Sequence, residues 1–150
     1  MNQVITKLDN YVSNFMRKYG IVLLRISIGI VFFWFGILKF FPNISPAQDI
    51  ATQTINILTF GLIQNSTALF ILALWETLIG IGLIFGKYLK LILFLLFSQM
   101  LGTLTPLFLF PNETFACFPL VPTLEGQYII KNLILISAGL VVGASLDKKT

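Results

Sequence analysis

Four long apolar runs, each interrupted by at most two charges, dominate the chain at 20–41, 68–86, 89–110 and 128–145. A hydrocarbon core of about 30 Å takes about 20 helical residues to cross, and each run is close to that length. The runs are too continuously apolar for barrel strands, in which lipid-facing and lumen-facing residues alternate. The expected fold is therefore all-α, an integral membrane four-helix bundle. The turn at 87–90 is so short that spans two and three must form an antiparallel hairpin.

The segments between and before the runs have a pattern of their own. In residues 1–19, Val4, Ile5, Leu8, Tyr11, Val12 and Phe15 recur at helical spacing, opposite Lys7, Asn10, Asn14 and Lys18. This predicts an N-terminal interfacial amphipathic helix on the inner leaflet, or equally a helix packed on the cytoplasmic end of the bundle. Between spans one and two, Ser45-Pro46-Ala47-Gln48 has the form of a capping box with proline at the first helical position. A short outer-side helix is expected over 46–60, ending at Gly61, with Ile50, Ala51, Thr54 and Leu58 toward the bundle. The organisation is then an amphipathic helix at 1–19, a membrane domain at 20–146 and a short cytoplasmic tail at 147–150.

Composition agrees. Of the 150 residues, 57% are apolar and 11% charged, against about 45–50% and about 25% in soluble domains. The net charge of +4 does not point to nucleic acid, because the basic residues are scattered without an aromatic-basic patch. They mark topology instead. Lys7, Arg17, Lys18, Lys87, Lys90, Lys148 and Lys149 flank one side of the spans, whereas 42–67 and 111–127 contain no Lys or Arg. The positive side is expected to be cytoplasmic, with both termini there. No cleavable signal peptide is expected, since the first 19 residues are too polar for its apolar core. Cys117 is the single cysteine and histidine is absent. That removes intrachain disulfides, paired-thiol redox motifs, the usual haem ligand, common zinc and copper sites and histidine acid–base chemistry. No metal site is expected, and any redox role needs an organic cofactor or a partner.

Ionisable residues inside the runs carry the sharpest signal, because each costs at least ~2.5–3.5 kcal/mol at the bilayer centre. Arg25, Phe32, Gly36 and Lys39 share one helical face of the first span, and Ala73, Glu76, Thr77 and Gly80 form a small, polar face of the second. The third offers Ser98, Gln99, Gly102, Thr103 and Thr105, and the fourth Lys131, Asn132, Ser137 and Gly139. Small residues on such faces allow close helix approach. Glu76 is too deep to snorkel and must be neutral, paired or beside a wet cavity. The expected polar site has Glu76 at its centre, with Lys39 and Lys131 reaching in from the outer end and Arg25 connected through water. Snorkelling to the headgroups is the alternative for those three cations. Gln99, Asn132, Trp75 and Thr105 complete the candidate ligand-binding residues, although Trp75 also suits a core position. Cys117 is expected to be a buried, inert thiol. No catalytic residue is assigned.

Leu24-Arg25-Ile26-Ser27-Ile28-Gly29, continuing through Phe33-Trp34-Phe35-Gly36-Ile37-Leu38-Lys39-Phe40, resembles the first span of the DoxX superfamily, including its YkgB-like branch. Trp75-Glu76-Thr77-Leu78-Ile79-Gly80, Thr105-Pro106 and the stretch Glu125-Gly126-Gln127-Tyr128 to Lys131-Asn132 resemble it too, so the similarity covers roughly 20–146. The resemblance implies a compact four-helix membrane bundle in a bacterial cytoplasmic (inner) membrane. One member type is the membrane subunit of a thiosulfate:quinone oxidoreductase, and YkgB-like members are linked to resistance against reactive chlorine. The expected function is a small subunit or accessory protein of a redox or stress-response system, binding a lipophilic ligand such as a quinone. Its partners would be the lipid bilayer, a membrane or periplasmic redox protein and a second copy of itself. A proton-coupled carrier using Glu76 and a purely structural or assembly protein are the alternatives. The topology is directly testable. In a Cys117→Ser background, cysteines at Asn56 and Gln127 should react with a membrane-impermeant reagent on intact cells. One at Lys149 should not, and labelling there would invert the orientation.

Overall fold

The computed structural model describes residues 2–41, 48–63 and 65–146. Most of the capping box at 45–48 lies outside them. The chain runs α1 (Asn2–Leu38), α2 (Gln48–Leu58), α3 (Asn65–Phe85), α4 (Leu89–Leu104), α5 (Pro106–Leu109), α6 (Pro111–Thr114), β1 (Phe115–Cys117), β2 (Val121–Pro122) and α7 (Leu124–Ala144). Four helical stretches are long and apolar enough to cross a membrane: Thr6–Leu38, Ser66–Phe85, Leu89–Leu109 and Leu124–Ala144. Large apolar side chains such as Trp34 (65% exposed), Leu101 and Ile134 cover the outside of the bundle, as lipid contact requires.

The first span differs from expectation at both ends. The N-terminal segment is not a separate helix, since α1 is unbroken over 37 residues. Gly20 alone separates the two apolar patterns, and one glycine inside a helix costs only about 1 kcal/mol relative to alanine. Leu8, Tyr11, Phe15 and Met16 are exposed, so this part does not pack on the end of the bundle either. At the other end α1 stops at Leu38 and tightens into a turn, with Lys39, Phe40 and Phe41 N–H groups donating to Gly36, Ile37 and Leu38 carbonyls.

Glycines set the register of α1 on α3. A Cβ on Gly29 would meet Ile84 and the Gly80 carbonyl, one on Gly36 would sit 2.7 Å from the Thr77 backbone, and one on Gly80 would strike the Phe33 backbone. The two antiparallel helices therefore touch backbone to backbone. This register places the end of α1 beside Glu76, about halfway along α3. Beyond it, Phe40 packs edge-on to Phe70 at 5.6 Å, and α2 lies against α3. Ile50, Thr52 and Thr54 of α2 are buried, whereas Leu58, expected to face inward, is exposed.

Gly86 ends α3 in the left-handed region (φ 71°), the usual way to close a helix before a sharp turn. Spans two and three then form the expected hairpin. Pro106 has no N–H to continue α4, so the third span breaks at Thr105 and resumes as the single turn α5. A short antiparallel hairpin, β1 with β2, follows. The fourth span begins at Leu124 rather than at 128, because Thr123 caps it. Its hydroxyl accepts from the Gly126 N–H (3.2 Å) and donates to the Glu113 carbonyl (2.7 Å). Ile28 and Phe32 of α1, Ile79 and Leu83 of α3, Leu93, Leu96 and Met100 of α4 and Ala138 and Val142 of α7 form one buried core.

Close α1–α3 contact makes a contrast between glycines testable. Gly80→Val should overpack the interface at a cost of about 1–3 kcal/mol or more, read as a lowered thermal midpoint in detergent. Gly102→Ala faces open space and should be neutral or slightly stabilising.

Candidate functional site

Glu76 lies eleven residues from the start of α3 and nine from its end, roughly 16 and 14 Å along the axis. At that depth its carboxylate needs partners from neighbouring helices, and it finds one for each oxygen. The Lys39 ammonium donates to Oε2 at 2.6 Å, and the two side chains are 12% and 11% exposed. The Gln99 amide donates to Oε1 at 2.6 Å. Three elements thus meet at one carboxylate: the C-terminal turn of α1, the middle of α3 and the middle of α4.

Local sequence explains each position. Gly36 leaves the space through which α1 approaches, since a Cβ there would lie 3.0 Å from Glu76 Cβ. The end of α1 at Leu38 puts Lys39 where unpaired carbonyls favour a cation, and its ammonium also points to the Phe35 carbonyl at 3.5 Å. The α3–α4 hairpin brings Gln99 level with Glu76. The Trp75 indole N–H holds that register by donating to the Leu95 carbonyl at 3.1 Å. Thr77 and Thr103 hydroxyls return to the carbonyls of Ala73 and Gln99, four residues back, so neither is left unpaired.

Gln99 Oε1 has no hydrogen-bond partner among the described residues and no exposure, in a residue only 8% exposed. The amide orientation follows from chemistry, because turning it would set two oxygens against each other at Glu76. An acceptor is therefore left over on a side chain that shares the Glu76 carboxylate with Lys39. The site consequently presents an unused acceptor together with the spare N–H groups of Lys39 and Gln99.

Several expected members are elsewhere. Lys131 is exposed and lies 5.5 Å over the Tyr128 ring, so it does not reach Glu76. The earlier start of α7 moves it from the span boundary into the second turn. Arg25 lies against Gly86, at the α3–α4 turn, ten residues and roughly 15 Å from Glu76. Asn132 is half-buried on α7 and makes no part of the cluster. The Thr105 hydroxyl donates to the Gly102 carbonyl at 2.7 Å and serves the helix break. Trp75 is a packing and register residue between α3 and α4. Cys117 is exposed on β1 rather than buried, because the hairpin lies at the edge of the molecule.

A family model described as DoxX matches residues 20–110. The chain belongs to the DoxX family. No curated protein and no solved structure matches it. The DoxX match contains Lys39, Glu76, Gln99 and the glycines that bring their helices together, and it stops before Lys131 and Asn132. With its four apolar spans, the chain is a multi-pass membrane protein.

A buried pair resists loss of one partner more than loss of both. Lys39→Met should destabilise the protein by about 3–5 kcal/mol, whereas Lys39→Met with Glu76→Gln should recover a large part of that loss. Lys131→Met should stay within about 0.5 kcal/mol of the parent. Unfolding of the parent, Lys39→Met, Glu76→Gln and the double variant in mixed micelles measures the cycle, with Lys131→Met as the control, and additive single effects would refute a direct Lys39–Glu76 interaction.

Proposed function

We propose that this DoxX-family chain is a small subunit or accessory protein of a redox or stress-response system in a bacterial inner membrane. In this reading both termini are cytoplasmic, and a lipophilic ligand such as a quinone is held beside Glu76, Lys39 and Gln99. The observation that carries it is the buried Gln99 Oε1, unpartnered among the described residues, on a side chain that shares the Glu76 carboxylate with an ammonium that has one N–H to spare. A quinone carbonyl needs donors, which Lys39 and the second Gln99 N–H supply. A quinol hydroxyl needs an acceptor, which Gln99 Oε1 supplies. Buried apolar residues neighbour the three polar ones along their helices, Ile79 on α3 and Leu96 and Met100 on α4, in keeping with the mostly apolar character of small-molecule sites. A bound quinone would supply the electron-carrying chemistry that the chain's own side chains lack. Glu76, Lys39 and Gln99 would orient it, and the ion pair would hold a neutral net charge around it.

Protein extracted in mild detergent should retain quinone, detected by solvent extraction and mass spectrometry, and should bind an added short-chain quinone. Gln99→Leu should weaken that binding about tenfold, the worth of one hydrogen bond, while the protein remains folded. A folded wild type that neither retains nor binds quinone would refute the reading.

A further inference from the structure

Arg25 is absorbed neither by the core nor by the Glu76 cluster. Its Nη1 has no exposure and no hydrogen-bond partner among the described residues, and a guanidinium presents five N–H donors with no way to discharge them. It lies on Gly86, where any Cβ would collide with Nη1, so the turn backbone is shaped around it. That turn is basic: Lys87 is exposed beside Gly86, and Lys90 is exposed in the first turn of α4. The α4 N-terminus itself lacks a side-chain cap at Tyr88, which leaves its first N–H groups facing outward with the positive end of the helix dipole. Among the described acidic residues, Asp49, Glu76, Glu113 and Glu125 belong to the middle or opposite end of the bundle, and Asp9 lies roughly 24 Å back along α1.

A covered guanidinium nitrogen without a partner calls for an anion. We propose that Arg25 and Lys87, with the α4 N-terminus, form a site for the phosphodiester headgroup of an anionic phospholipid. Arg25 contacts the phosphate through the N–H groups other than the covered Nη1, and Lys87 supplies the preference for net negative charge. The site lies at the level of the α3–α4 turn, where four exposed apolar side chains of α1 and α3, Ile21, Val22, Ile81 and Phe85, offer a surface for acyl chains. It is independent of the quinone reading, because it lies at the other end of the α1–α3 contact from Lys39.

The test uses the full chain in detergent micelles doped with phosphatidylglycerol or phosphatidylcholine, with lipid retention counted by native mass spectrometry and the thermal midpoint followed in parallel. Wild type should retain phosphatidylglycerol preferentially and be stabilised by it. Lys87→Gln should weaken retention about fivefold, the worth of one basic residue near an anionic surface. Arg25→Gln should abolish the preference, and Arg25→Lys should restore only part of it, since an ammonium lacks the planar fork. If Arg25→Gln does not fold, the Arg25→Lys and Lys87→Gln comparison decides. Inorganic phosphate alone, in lipid-free micelles, separates a free-phosphate site from a headgroup site: stabilisation by phosphate without any lipid preference would overturn the lipid assignment. Equal retention by wild type and Lys87→Gln and Arg25 variants would overturn the proposal.

Discussion

A carboxylate at mid-depth in an apolar helix is the constraint to which the rest of this bundle answers. Glu76 cannot reach water along its own short side chain, so neighbouring helices must deliver a cation and a donor to it. Delivery of Lys39 requires α1 to end beside Glu76 rather than at the far boundary. It also requires α1 and α3 to touch at the backbone, which Gly29, Gly36 and Gly80 permit. Delivery of Gln99 requires the α3–α4 register that the Trp75–Leu95 hydrogen bond and the tight Gly86 turn hold. The ion pair itself adds little net stability once desolvation is counted. Its weight lies in specificity, since other registers of α1 on α3 would strand a buried charge.

Number and type of the spans were legible in the residues because hydropathy in lipid leaves helices as the only choice. The α1 and α3 faces were legible too, since Phe32, Gly36 and Lys39 fall in phase, as do Ala73, Glu76 and Gly80. Depth was not. Counting from the ends of apolar runs put Lys39 near a boundary, although α1 extends far beyond the apolar run at one end and stops short at the other. The Lys131 expectation failed on facing rather than on depth. Thr123 starts α7 four residues earlier than the hydropathy does, which sets Lys131 deeper, but its side chain lies on the exposed side of the helix over the Tyr128 ring.

The partner that took the place of Lys131 had a signal in the chain. Glu76 lies ten residues before Gly86, and Gln99 ten residues after Leu89, so a short hairpin turn must set them level. Symmetry about a tight turn locates cross-helix neighbours more surely than distance from an apolar boundary. The left-over Gln99 oxygen was beyond such reading, since it depends on which oxygen of Glu76 each neighbour occupies. The exposure of Cys117 was equally hidden. Its aromatic neighbours Phe115 and Phe118 look like core in sequence but stack on each other at 5.2 Å in the hairpin.

An unbroken α1 also has a mechanical meaning. Its 37 residues make a rod of about 55 Å, whose upper end carries Lys39 and whose lower third stands clear of the other helices. The glycine contacts at 29 and 36 lie between that free third and Lys39, about 10 Å apart along the rod. Two backbone contacts at that spacing clamp α1 against α3, so the ammonium at one end keeps its place beside Glu76 while the exposed face of Leu8, Tyr11 and Phe15 projects from the other.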